Sequence, residues 1–234
     1  MRQPIHMVIP FKNQGAKSRL ACLLTPKERQ LLSFAMLRDV LDAVLGFGWA
    51  TILSRPGLDA AKVGYDVEIL ESELDLNEAL NALIASEASR GWPSDILIVM
   101  ADLALLTQND IVGILNCRGD VVLCPGRGGG TNMILIRSPE FRTCYRGLSF
   151  PKHLNCAQQA GLKADVFESF RAGSDIDEPE DLAEVLLHGR GETRALLDGW
   201  GFSVSERGRG GGVGRISPSD SFGRVAPSDS RTRT

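Results

Sequence analysis

Asp95-Ile96-Leu97-Ile98-Val99-Met100 is apolar almost without interruption. A strand with one wet face alternates apolar and polar residues. One that is apolar throughout is covered on both faces, as in the middle of a parallel sheet under two layers of helices. The rest of the chain agrees. Short strand-like runs at Met7–Phe11, Ala50–Ser54, Tyr65–Leu70, Asp120–Cys124, Asn132–Arg137 and Ala164–Phe167 alternate with segments of helical period. Thr25-Pro26-Lys27-Glu28 carries a helix start, with Thr at the cap, Pro at the first turn and Glu three residues on. Helices are expected after it, over Asp75–Ser89, from Thr107, over Pro151–Ala160, and from Glu180 as one long last helix. Strands alternating with helices give an α/β fold, three-layer and Rossmann-like, with a mainly parallel sheet.

In such sheets ligands bind beyond the carboxyl ends of the strands. Asp102 stands there, just past the central run, and Asp175 and Asp177 are expected at the end of a second short strand-like run, within Ser174-Asp175-Ile176-Asp177-Glu178-Pro179-Glu180-Asp181-Leu182. Asp175 and Asp177 point to one face of an extended segment, where their charges repel unless a cation lies between them. Asp102, Asp175 and Asp177 are therefore candidate ligands for a hard divalent ion, Mg²⁺ or Mn²⁺, which takes oxygen donors and substrate phosphates. Asp177 can alternatively cap the helix that follows, a role Asp181 can also fill. The loop leaving the first strand carries Lys12, Lys17 and Arg19, cations suited to a triphosphate. Gly15-Ala16-Lys17-Ser18 lacks the glycines of a P-loop, so that motif is rejected. Gly128-Gly129-Gly130-Thr131 precedes a strand and lets backbone approach an anion. His6, His153 and His188 lack a partner acid or nucleophile in sequence, and His153 reads as a packed or surface residue.

Five cysteines, an odd count with no C-x-x-C pair, argue against disulfides and zinc. No run approaches the length of a membrane helix and no leader pattern opens the chain, so a cytoplasmic location is expected. The net charge of −3 hides an arginine-bearing tail and a more acidic body, which does not suit nucleic acid. From Ser205 the composition turns to Gly, Ser, Arg and Pro. The expectation is one domain over 1–204 and a disordered tail over 205–234.

Five segments taken in order resemble a known family: Pro10-Phe11-Lys12…Ala16-Lys17-Ser18-Arg19-Leu20, Met100-Ala101-Asp102-Leu103, Gly129-Gly130-Thr131-Asn132, Ser149-Phe150…His153-Leu154 and Asp175-Ile176-Asp177-Glu178-Pro179-Glu180-Asp181-Leu182. The family is the 2-phospho-L-lactate guanylyltransferases (CofC) of coenzyme F-420 biosynthesis. The resemblance covers about residues 5 to 190. It implies a nucleotide-diphospho-sugar transferase-like fold and a nucleotidyltransferase domain. The implied reaction joins GTP to 2-phospho-L-lactate, or to phosphoenolpyruvate in bacterial relatives, and releases pyrophosphate. It makes Asp102, Asp175 and Asp177 metal-associated. Lys17, with Asp102, becomes catalytic, and Lys12, Lys17, Arg19 and Asn77 fall to the nucleotide. Thr131, Gly147 and Ser149 fall to the phospho-acid. Tyr145-Arg146-Gly147-Leu148 departs from a more glycine-rich family segment and offers Arg146 to a phosphate or carboxylate. The competing readings are a molybdopterin or sugar-phosphate nucleotidyltransferase of the same fold, and a non-catalytic nucleotide-binding regulator. The oligomeric state is left open, a homodimer included.

Overall fold

The computed structural model describes residues 5–13, 15–205 and 212–215. Seven strands form one sheet in the order β3-β2-β1-β4-β6-β5-β7. They are β1 (Ile5–Phe11), β2 (Gly48–Ser54), β3 (Glu68–Glu71), β4 (Asp95–Val99), β5 (Val121–Pro125), β6 (Thr131–Ile136) and β7 (Ala164–Val166). In this sheet β6 runs against both neighbours, while the other pairings are parallel. The chain winds outward from β1 to β3 and then crosses to β4 on the other side of β1. That switch point opens a crevice at the carboxyl ends. Because β6 is reversed, its first residues reach the same edge, and Met100 N–H donates to Asn132 O at 3.0 Å.

Alternate strand residues face opposite layers. Met7, Ile9, Leu97 and Val99 pack with α1 (Pro26–Val44) and α4 (Gln108–Asn116). Val8, Ile96 and Ile98 pack with α3 (Leu76–Ser89) and α5 (Ser149–Gln159). The expected cap at Thr25 is present as a full capping box with Glu28. A short helix, α2 (Ala60–Val63), precedes β3. That strand starts later than its sequence suggests, and Tyr65 turns instead to α1, where its hydroxyl donates to the Asp42 carboxylate.

The expected last long helix is two short ones, α6 (Asp181–His188) and α7 (Glu192–Gly199). Asp39 of α1 accepts the Glu192 and Thr193 amides at 2.6 and 3.0 Å, so a side chain from another helix starts α7. The domain boundary also differs from expectation. β8 (Phe202–Ser205) pairs with β9 (Gly212–Arg215) as a hairpin beyond residue 204. Arg215 stacks over Phe202 and bonds Glu28 at 2.5 Å, tying the hairpin to α1. The tail expected over 206–211 and 216–234 lies outside the described residues. Among the described residues no helix is long and apolar enough to cross a membrane.

Candidate active site

Asp102 follows β4 by three residues and Lys17 follows β1 across the sheet's switch point. The Lys17 ammonium meets Asp102 Oδ2 at 2.8 Å and Asp177 Oδ1 at 2.7 Å. It is 8% exposed as a side chain, against 25% and 45% for its partners. Burial alone would lower the lysine's pKa, but the charges and hydrogen bonds of Asp102 and Asp177 outweigh it and hold the pKa above the ordinary value. Lys17 also has a φ of 56°, the left-handed region that costs a non-glycine residue about 1 kcal/mol or more. The two carboxylates over-determine that backbone. A hydrogen bond from Ile176 N–H to Asp102 O at 3.2 Å fixes the segment bearing Asp175 and Asp177 against the strand end.

Asp181, rather than Asp177, makes the local turn. It accepts the Asp177 and Glu178 amides at 2.9 and 2.7 Å, which leaves the Asp177 carboxylate for Lys17. Asp175 Oδ1 accepts from Asn132 Nδ2 at 3.2 Å, and the same amide donates to Ala172 O at 2.9 Å. Burial raises the Asp175 pKa first, and the charges of Asp102 and Asp177 add to the rise. Gly126 makes room here, since a Cβ on it would lie 2.5 Å from Asn132 Oδ1.

The cluster fits a hard cation in its donor chemistry. Asp102 Oδ1 is buried without a hydrogen-bond partner, and Asp175 bears a poorly compensated charge. The expected three-carboxylate cage is not preformed, however. No group of three His, Cys, Asp or Glu side chains among the described residues is placed to hold a metal. A Mg²⁺-like ion commonly needs only one or two protein carboxylates beside substrate phosphates.

Two connected hollows open at this edge. One of about 250 Å³ includes Lys12, Lys17, Asp102 and Asp177 in its wall. The other, about 370 Å³, shares Pro10, Phe11, Lys12 and Met100 with it and continues to Ser54, Ser72 and Leu76. Lys12 thus faces both. Arg19 does not join the cluster. It pairs with Glu178 at 3.2 Å on the exposed rim.

The residues expected at the small substrate form a second, neutral group. Thr131 Oγ1 lies 3.1 Å from Ser149 Oγ and 2.8 Å from His153 Nδ1. His153 is fully buried, and Cys144 N–H donates to its Nε2 at 2.8 Å. Burial pushes its pKa down to about 4. Tyr145 sets its ring edge-on against the imidazole, with centroids 4.7 Å apart. Gly129 O accepts Phe150 N–H at 3.1 Å, which ties the glycine loop to the start of α5, and Gly147 takes a φ of 58°.

Asn77, expected on the nucleoside side, instead accepts Tyr145 N–H at 2.5 Å. One helical turn later, Asn81 accepts Thr143 N–H at 2.8 Å. Both brace the 143–145 segment from α3. Arg146 reaches back to Asp75 at 3.2 Å and is exposed in that pose. The sequence set His153 and Asn132 within motif segments without assigning either a role, and it missed Asn81. A signal existed for the last, since Asn77 and Asn81 lie one turn apart and share one face of α3.

A family model described as "Guanylyl transferase CofC like" matches residues 5–215. The chain belongs to the CofC-like guanylyl transferase family. A 2-phospho-L-lactate guanylyltransferase of Methanothrix thermoacetophila is 48% identical over 222 residues, covering 94% of this chain and 99% of the relative. One from Methanoregula boonei is 40% identical over 216 residues, covering 92% of this chain and 97% of the relative. Among solved structures, a 4-diphosphocytidyl-2C-methyl-D-erythritol synthase superposes with a TM-score of 0.53 at 13% identity, covering 85% of this chain and all of that one. A nucleotidyl transferase from Methanothermobacter gives 0.54 at 18% identity, covering 79% of this chain and 97% of that one. At such identities the likeness is one of fold, the Rossmann-like fold expected from the alternating pattern. The family match extends over β9, in agreement with the hairpin.

Proposed function

We propose that this CofC-like enzyme joins GTP to 2-phospho-L-lactate, or to a close phospho-acid such as phosphoenolpyruvate, and releases pyrophosphate. A phosphate oxygen of the phospho-acid attacks the α-phosphorus of GTP. The new P–O bond forms as the bond from the α-phosphorus to the pyrophosphate oxygen breaks. The nucleophile is already anionic near neutral pH, so no protein base is required, and positioning with charge neutralisation carries the rate.

The observation that carries this reading is the Lys17 ammonium held between Asp102 and Asp177 at the mouth of a cleft. A desolvated cation at that place is an electrostatic device for a reacting phosphate. With nucleotide present, Lys17 would turn from the carboxylates to the phosphates. Asp102 and Asp175 or Asp177 would hold Mg²⁺ or Mn²⁺, which would supply charge neutralisation to the triphosphate. The larger, more apolar hollow suits the nucleoside and Lys12 the phosphates, while Thr131, Gly147 and Ser149 suit the phospho-acid. Arg19 and Arg146 would have to leave their surface partners to take part. The reading places the enzyme in the cytoplasm beside its nucleotide.

The test is a panel of GTP or ATP against each phospho-acid, with pyrophosphate release and product mass as readouts. Release from GTP that depends on the phospho-acid is expected. Nucleotide binding without release would favour a regulator instead.

A further inference from the structure

His153 lies outside every role just given, yet it is buried at the centre of the neutral group. Its proton position follows from its partners. The Cys144 amide can only donate, so Nε2 must accept and carries no proton. The neutral ring therefore bears its proton on Nδ1 and gives it to Thr131 Oγ1. An imidazolium would set an Nε2 proton against the Cys144 amide proton. Burial also holds the ring neutral, with its pKa lowered to about 4.

With that bond fixed, the hydroxyl protons can be counted. Thr131 and Ser149 own one each, and the contact between them uses one. The second has no protein acceptor within the trio. An unmatched buried hydroxyl costs free energy, so its natural partner is an incoming oxygen. Thr131 and Ser149 are both buried, beside a Leu148 that is 62% exposed.

We propose that His153 is a positioning residue for the phospho-acid. By donating from Nδ1 it makes Thr131 an acceptor, so that the Thr131–Ser149 pair presents one hydroxyl proton to an anionic oxygen of that substrate. Its Nε2 meanwhile pins the Cys144 backbone. This rests on the assignment of Thr131 and Ser149 to the phospho-acid made above.

Two variants separate the ring's two bonds. His153→Asn keeps an N–H donor near the Nδ1 position and loses the acceptor for Cys144. His153→Gln keeps an acceptor near Nε2 and loses the donor for Thr131. Expected for His153→Gln is a KM for the phospho-acid raised by about 10-fold, the scale of one neutral hydrogen bond. Its KM for GTP and its kcat should each change less than about 3-fold, because neither depends on that bond. His153→Asn should hold the phospho-acid KM within about 3-fold while its melting temperature falls at least as far. A merely structural histidine would move both substrates together, in step with lost stability.

Overturning results are an Asn variant as poor as Gln towards the phospho-acid, or a GTP KM that shifts equally. The imidazole ¹⁵N shifts of the wild-type protein at pH 7 give an independent reading. A neutral Nδ1–H ring is expected, and an Nε2–H ring or an imidazolium overturns the network whatever the enzyme acts on. Wild-type protein that turns over no phospho-acid would sink the guanylyl-transfer reading instead, and with it the substrate named here, while the ¹⁵N result would still judge the hydrogen bonds.

Discussion

Two neighbouring groups at one edge of the sheet handle polarity in opposite ways. Around β1 and β4, Lys17, Asp102, Asp175 and Asp177 concentrate full charges, and one ammonium serves two carboxylates. Around β6 and α5, Thr131, Ser149 and His153 use neutral hydrogen bonds, with the histidine kept uncharged by burial. A charged cluster can exchange partners, and in the proposed function Lys17 would trade carboxylates for phosphates while a metal would take its place beside Asp102. A neutral buried network has no charge to exchange and resists rearrangement, even with one hydroxyl proton left for a ligand. The difference suggests a division of labour, with a switchable side for the charged triphosphate and a rigid side for the small acid.

The comparison is broken most severely at its charged end. Asp102→Asn should leave the fold intact and cut kcat by roughly 10²-fold or more, the scale of a strong charge-stabilising group. Circular dichroism with steady-state rates checks it, and near-normal turnover would remove Asp102 from the mechanism. Lys17→Met should lower kcat/KM for GTP by about 10- to 100-fold, since it deletes the cation facing the cleft.

The pH response sharpens the same contrast. The Lys17 pKa is raised in the folded protein. Its stabilising contribution is therefore complete below the ordinary lysine value of about 10.4. It is lost as pH climbs through the higher folded value. In alkaline melts, wild type should lose its advantage over Lys17→Met only above that ordinary value. An advantage that disappears near neutrality would contradict the ion cluster.

Asp175 behaves inversely. Its raised pKa means that its charge is a cost to the metal-free fold at neutral pH. Asp175→Asn should raise the melting temperature of the metal-free protein by a few degrees, corresponding to about 1 kcal/mol. It should also diminish any stabilisation by Mg²⁺. A lower melting temperature would show that the carboxylate is better satisfied than its surroundings indicate.

The smallest effect concerns a region that belongs to neither group. Truncation after Arg215 should leave melting temperature and turnover unchanged. Truncation after Val204 removes β9 and its contacts with Phe202 and Glu28, and should lower the melting temperature by about 4 °C or less while sparing kcat, because about 1 kcal/mol moves a domain of this size by 2–4 °C. Equal melting temperatures for the two forms would make the hairpin dispensable.

What the sequence disclosed follows the same division. The central strand, the Thr25 cap and the strand-end placement of Asp102 are local patterns, legible because composition and period encode them. Asp175 and Asp177 were legible as paired carboxylates. The partner of Asp177 was not, because Lys17 reaches it across 160 residues of chain and only the switch point brings the loops together. His153 read as an ordinary packed or surface histidine because its partners, Thr131 and Cys144, are a strand and a loop away. The break between α6 and α7 was hidden for the same reason, since the side chain that starts α7 is on α1. Beyond Ser205, glycine and serine content masked a hairpin whose hold on the domain comes from Phe202, Arg215 and Glu28.

The division of labour itself is tested most directly by one crossed kinetic measurement. Lys17→Met and Thr131→Val are each assayed for KM against GTP and against the phospho-acid. The account expects Lys17→Met to raise the GTP KM and to leave the phospho-acid KM within about 3-fold, as for an interaction with one ligand only. It expects Thr131→Val to do the reverse, raising the phospho-acid KM about 10-fold, the scale of a lost hydrogen bond. Both variants weakening both substrates alike, or the two patterns exchanged, would contradict it.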